Sequence, residues 1–229
     1  MSRKPPAPPA PQKRILMVDD HPVFRDGLRR VISMDRDLVV CGEAGSAEEA
    51  WPMIGPLQPD LVITDITLPG KSGIELLRDV RAVHPDLPVI LISMHDERLY
   101  AERALRAGAR GYIMKHEGPG RMLEAVQQVL RGKVALSDKM AAELLLSIAC
   151  PRSREGMAAG AGKLTSREFE VLCMIGDGQD ARDISRSLRL SVKTVDTHRA
   201  HIRDKLGLKN NTELIRYAVR WREGEPHQP

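Results

Sequence analysis

The chain has 229 residues, enough for one large domain or two ordinary ones, with 42% hydrophobic and 29% charged residues and a formal net charge of +4. No run of about eighteen apolar residues occurs, which excludes a membrane-spanning helix. Three widely spaced cysteines, Cys41, Cys150 and Cys173, form no CxxC pair and join no histidine at zinc spacing, so free thiols in a reducing cytoplasm are expected.

The amino terminus, residues 1–13, is mostly Pro and Ala and lacks the apolar core of a signal peptide, so a disordered, polyproline-like tail is expected. Residues 14–18 (RILMV) read as a strand ending in Asp19-Asp20-His21-Pro22, with a helical pattern following through Val23, Phe24, Leu28, Val31 and Ile32. A second strand is expected at 38–41, then a short helix at 46–54 capped by Ser46 and disturbed by Pro52. Residues 61–64, bounded by Pro59-Asp60 and Pro69-Gly70, form a short apolar run that reads as a buried strand with Asp65 at its carboxyl end. A helix at 72–83, a strand at 88–93, a helix at 97–107, a strand at 111–114 and a helix at 121–131 complete five strand and helix pairs. Such alternation predicts a doubly wound parallel sheet. One more amphipathic helix is expected at 137–148, followed by a Pro- and Gly-containing linker. The remainder carries four helix signals and no strand, at 166–175, 181–188, 192–206 and 211–221, with caps at Asp180 and Ser191 and a stop at Gly207. The predicted division is a tail at 1–13, an α/β domain at 14–133, a linker with a helix at 134–163, an all-α four-helix domain at 164–222 and a second tail at 223–229.

In an open parallel sheet, ligands bind at the carboxyl edge of the strands. By itself Asp65 is either a solvated turn residue or a nucleophile or metal ligand. The other strand ends decide the weighting: Asp19 and Asp20 follow the first strand, Ser93 ends the fourth and Lys115 follows the fifth. Three carboxylates brought together repel unless a cation neutralises them, and all-oxygen ligation suits Mg²⁺. With a metal beside Asp65 and the Lys115 ammonium to receive phosphoryl oxygens, Asp65 would be a nucleophile.

The stretches VDDHP (18–22), DITLPGKSG (65–73), LISMH (91–95) and GARGYIMK (108–115) resemble the flavodoxin-like receiver domain of two-component response regulators, over about half of the chain. The resemblance implies that Asp65 accepts phosphate from a sensor histidine kinase, that Asp20 ligates Mg²⁺ directly and Asp19 mainly through water, and that the Thr67 carbonyl completes the protein ligands. It further implies Ser93 as the hydroxyl that moves to the phosphoryl oxygen, Tyr112 as the aromatic switch and Lys115 as the phosphate-binding cation. Met94 stands where many receivers carry a small residue.

Between residues 182 and 209 there are 8 basic residues against 3 acidic, an excess that suits a polyanion partner, although charge alone favours a solvated helix face. The helices at 181–188 and 192–206 form a helix-turn-helix pattern. Ile184, Leu188, Leu190, Val195, Ile202 and Leu206 point to a small core, leaving Lys193, Thr194, Asp196, Thr197, Arg199, Ala200 and Arg203 outward. Asp196 either accepts from a cytosine or pairs with Arg199, the pairing being favoured. His198 and His201 are expected as partly buried support for the turn, and Lys205 and Lys209 as phosphate contacts. Residues 163–215 resemble the LuxR-type DNA-binding domain, and the whole chain the NarL/FixJ class of response regulators.

The resulting expectation is a cytoplasmic, phosphorylation-switched transcription factor that binds double-stranded DNA, forms a homodimer when phosphorylated and is not an enzyme. An aspartyl-phosphate phosphatase would need a second carboxylate two residues past Asp65, where Thr67 stands. The remaining alternative is a receiver-like regulator that acts through partner binding without phosphorylation.

Overall fold

A computed structural model describes residues 11–94, 97–149 and 162–223. Most of the expected tails, the linker stretch 150–161 with Cys150, and His95 lie outside the described residues. Five strands, β1 (Lys13–Val18), β2 (Leu38–Ala44), β3 (Leu61–Asp65), β4 (Val89–Ser93) and β5 (Gly111–Met114), form one sheet in the order β2-β1-β3-β4-β5. Every pairing is parallel. The intervening helices are α1 (Pro22–Ile32), α2 (Ala47–Leu57), α3 (Gly73–Val83), α4 (Glu97–Arg106) and α5 (Pro119–Leu130).

Side chains alternate across a strand, and here both faces are covered. Ile15, Met17, Ile63, Ile90 and Ile92 pack with Leu28 and Ile32 of α1 and Val126 and Val129 of α5. Leu16, Val18, Val62 and Leu91 face the opposite way, toward Ile54 of α2, Leu77 of α3 and Tyr100 of α4. Double-sided burial is why these strands read as continuous apolar runs instead of alternating ones.

The expected boundaries move in several places. β1 begins at Lys13, whose amide donates to the Asp37 carbonyl, so the strand takes one residue from the expected tail. β2 continues to Ala44 because its whole length pairs with β1. The expected stop of α2 at residue 54 is wrong: the helix runs through Pro52 and Pro56 and ends only at Gln58, in the left-handed region at φ 43°. Burial of Ala47, Ala50 and Ile54 against the sheet offsets the backbone hydrogen bonds that the two prolines remove. α5 starts two residues early, with Pro119 in its first turn, where a fixed φ is favourable. Val23, expected on the apolar face of α1, is 85% exposed.

Beyond α5 the chain runs along the sheet edge, where the Tyr112 amide donates to the Ala135 carbonyl at 3.0 Å. Next come α6 (Asp138–Ala149), which lies against α4, and four further helices: α7 (Ser166–Gly176), α8 (Ala181–Leu188), α9 (Val192–Leu206) and α10 (Asn211–Glu223). α7 packs on both α9 and α10 and is buried along nearly its whole length, charged residues included. Its amino terminus is closed by a capping box between Thr165 and Glu168. No helix among the described residues is long and apolar enough to cross a membrane.

Candidate functional site

The carboxyl edge of the sheet gathers the groups expected there. Asp19 follows β1, Asp65 ends β3, and Lys115 follows β5, its amide donating to the Ser93 carbonyl at the end of β4. Lys115 Nζ lies 2.5 Å from Asp65 Oδ2 and 2.7 Å from Asp19 Oδ2, and it rests over the Phe24 ring at 4.8 Å. Asp65 Oδ1 accepts from the Thr67 amide at 3.2 Å. The loop after β3 is held tightly. Gly70 turns at φ 73°, and a Cβ on Gly73 would stand 1.9 Å from the Asp65 carbonyl oxygen, so both positions need glycine.

Burial pushes the Asp65 carboxyl up to about 6, Lys115 opposing the rise and the Asp19 charge adding to it. Burial also works against the Lys115 ammonium, but Asp65 and Asp19 outweigh it and hold its pKa above the usual lysine value. One ammonium thus serves two carboxylates, and a third stands beside them. One ligand atom each from Asp19, Asp20, His21 and Asp65 falls within 4.8 Å of the others. Asp19 Oδ2 and Asp20 Oδ1 are buried without an aligned hydrogen-bond donor. A carboxylate cluster with deficient oxygens and a surplus of negative charge fits a hard, oxygen-ligated divalent cation. His21, which caps α1 and lies 2.8 Å from Asp20 through Nδ1, was not singled out from the sequence, although it directly follows the acidic pair.

Ser93 is fully buried, one residue past the Ile92 that pairs in register with Asp65. Tyr112 is buried in the same apolar cluster as Tyr100. Met94 is 68% exposed.

The helical part of the chain is docked on this edge. Arg167 of α7 donates to the Leu68 carbonyl, three residues past Asp65, at 3.2 Å and to Glu170 at 2.6 Å. Arg78 of α3 donates to Ser166 at 3.3 Å, and Arg103 of α4 to the Leu164 carbonyl. Phe169 of α7 meets Tyr100 of α4 edge-on, with centroids 5.1 Å apart, and Trp221 of α10 meets Phe169 in the same way at 5.1 Å. Arg189, in the turn between α8 and α9, reaches 3.0 Å from Asp20 Oδ2. Burial pushes the Glu170 carboxyl up to about 7 in spite of Arg167, and the Cys173 thiol up to about 12, which makes that thiol inert. Arg167, Glu170 and Arg189 carry no role in the sequence reading. Glu170 meets Arg167 one turn away on the same helix, but Arg167 and the Leu68 carbonyl are 99 positions apart and Arg189 and Asp20 are 169 apart, so only folding brings those together.

On α9, Lys193, Asp196 and Thr197 are exposed, while Thr194, Arg199, Ala200 and Arg203 are half-buried. Val195 and Ile202 face inward as expected. Asp196 and Arg199 form a long ion pair at 4.0 Å. Lys205 is held by both Glu168 oxygens at 2.7 and 2.9 Å, and Lys209 lies exposed past the helix end. His198 is half-buried as expected, but His201 is exposed, 3.8 Å from Glu168, and does not support the turn from within.

Two family models match the chain: the response regulator receiver domain over residues 15–127, and the bacterial regulatory proteins of the luxR family over residues 162–218. Among curated relatives, the oxygen regulatory protein NreC of Staphylococcus carnosus is 32% identical over 213 residues, covering 90% of this chain and 97% of the relative. The response regulator GacA of Pseudomonas viridiflava is 35% identical over 207 residues, covering 90% and 95%. The crystal structure of a LuxR-family two-component response regulator from Aurantimonas sp. SI85-9A1 aligns with 36% identity and a TM-score of 0.57, covering 60% of this chain and 99% of that one.

Proposed function

The chain belongs to the two-component response regulators that join a receiver domain to a LuxR-type helix-turn-helix domain, a family of transcription regulators, and on that premise we propose that it is switched by phosphorylation of Asp65. The receiver is taken to extend from residue 14 to 133, the linker from 134 to 163 and the DNA-binding domain from 164 to 222. The single observation that carries the proposal is the Lys115 ammonium shared between Asp65 and Asp19 at the ends of three different strands. A carboxyl group whose pKa is about 6 is largely ionised at neutral pH, so Asp65 is available as a nucleophile.

The phosphodonor is a phosphohistidine of a sensor histidine kinase. One Asp65 oxygen attacks phosphorus, the P–N bond breaks, and the departing imidazole keeps the electron pair and takes up a proton. Asp19, Asp20, Asp65 and the Thr67 carbonyl would hold Mg²⁺, whose charge neutralises the phosphoryl oxygens. Lys115 holds one of those oxygens, and the buried Ser93 hydroxyl another. Tyr112 follows Ser93. Its position in one apolar cluster with Tyr100 and Phe169 supports a route by which repacking at the pocket loosens α7 from α4. The freed helix-turn-helix then binds double-stranded DNA as a homodimer in the cytoplasm, with Lys193, Thr194, Asp196, Thr197, Arg199, Ala200 and Arg203 of α9 toward the major groove and Lys205 and Lys209 at phosphates.

The test is phosphorylation by acetyl phosphate or a sensor kinase, followed by intact-protein mass spectrometry. Wild-type protein should gain one phosphoryl group, and Asp65→Asn should lose at least about 99% of it with circular dichroism unchanged. Undiminished labelling of Asp65→Asn would move the acceptor elsewhere. Partner binding without phosphorylation would instead leave the wild type unlabelled by any donor.

A further inference from the structure

Asp20 is proposed above as a metal ligand, yet each of its carboxylate oxygens already lies within 3.0 Å of a side-chain nitrogen. Oδ1 lies 2.8 Å from His21 Nδ1, a neighbour in the chain, and Oδ2 lies 3.0 Å from Arg189 Nη2, 169 positions away in the other domain. The Asp20 side chain is only 9% exposed, whereas Arg189 is 58% exposed and enters from outside. The turn that carries Arg189 is rigid. Its backbone sits in the left-handed region at φ 52°, the Leu190 amide donates to the Ser185 carbonyl at 3.0 Å, and the Ser185 hydroxyl donates back to the Leu190 carbonyl at 2.6 Å. That backbone fixes where the Arg189 side chain starts, and its own rotamers are ordered only when it pairs with Asp20.

We propose that Arg189 is a tethered cation that takes the metal's place at Asp20 while the two domains are docked, so that divalent-cation binding in the pocket and seating of the helix-turn-helix turn compete for one carboxylate. The inference rests on the reading of Asp20 as a metal ligand. A divalent ion on Asp20 would stand beside the Arg189 guanidinium, and the two like charges repel, so each weakens the other's hold on that carboxylate. Coupling of this kind is reciprocal: the factor by which docking weakens metal binding equals the factor by which metal weakens docking. A partly exposed ion pair sets its size at about two- to fivefold.

The experiment is calorimetric Mg²⁺ titration of the full chain at constant ionic strength, on wild type, Arg189→Gln, Arg189→Lys and Asp20→Asn. Hydrogen exchange at residues 185–191 is followed with and without Mg²⁺. Arg189→Gln should bind Mg²⁺ about two- to fivefold more tightly than wild type, Arg189→Lys should return toward wild type, and Mg²⁺ should speed exchange of the turn in wild type but not in Arg189→Gln. Equal or weaker binding by Arg189→Gln, with Asp20→Asn binding lost, overturns the competition and leaves the metal site standing. No Mg²⁺ binding by wild type and Arg189→Gln alike overturns both.

Discussion

The pocket at the sheet edge and the outward face of α9 carry similar residue types but treat them in opposite ways. In the pocket, Asp19, Asp65, Ser93 and Lys115 come from four strand ends, are almost wholly buried, and are fixed by ion pairs and by backbone positions that the sheet register dictates. On α9, the polar groups come from one helix, are exposed or half-exposed, and satisfy each other locally, as Asp196 with Arg199 and Thr197 with the Lys193 carbonyl do. A buried charge without its partner is expensive, so the pocket tolerates little change. An exposed charge gives up its partner at small cost, so α9 is free to exchange its present contacts for DNA.

The contact between these regions offers the largest perturbation. Arg167→Ala removes a cation that donates to the buried Glu170 carboxylate at 2.6 Å, and should destabilise the protein at pH 8 by about 3 kcal/mol. The sign of its pH dependence follows from the Glu170 shift. Its pKa rises from 4.5 to about 7 on folding, so its contribution to stability is whole below pH 4.5 and is lost as pH rises through about 7. The penalty in urea denaturation should therefore shrink at pH 5, where the carboxyl is neutral. An equal penalty at both values would mean that Arg167 acts instead through the Leu68 carbonyl and through the Leu188 carbonyl, to which it also donates at 3.3 Å.

Next in size is Asp65→Asn in metal-free buffer. The folded carboxyl titrates near 6 against 3.8 for the free group, so stability is present below pH 3.8 and lost as pH rises through about 6. A neutral amide escapes that loss. The variant should be about 1 to 3 kcal/mol more stable than wild type at pH 8 and equal to it below pH 4, by thermal or urea unfolding. Lower stability at pH 8 would show that the Lys115 pair outweighs burial.

The smallest effects belong to α9. Lys193→Ala should lower the slope of log affinity against log salt by about one ion in DNA binding. Lys205→Ala should lower it by less, because Glu168 already neutralises Lys205 in the DNA-free protein and must be given up for a phosphate contact. Equal slopes for the two variants would mean that the Glu168 pair opens freely.

Element types and the site were largely readable. The apolar runs ending in Asp19, Asp65 and Ser93 gave strand positions and, with them, the gathering of the pocket. Boundaries were less readable where packing overrides local preference: Pro52 and Pro56 would end a helix in isolation, but α2 passes both because its inner face is buried. The proximity of His21 to Asp20 depends on loop conformation, which no local pattern in the sequence records.

From the sequence alone came the strand ends, the caps, the two kinds of domain and the residues at the carboxyl edge of the sheet, since each follows from interactions among near neighbours or from a periodic burial pattern. Tertiary structure alone decided that α7 is buried between α4 and its own domain's α9 and α10, that Arg167 reaches the Leu68 carbonyl and that Arg189 faces Asp20. Those pairings join residues about 100 and 169 positions apart, and no local propensity records which of many exposed arginines a distant carboxylate will meet.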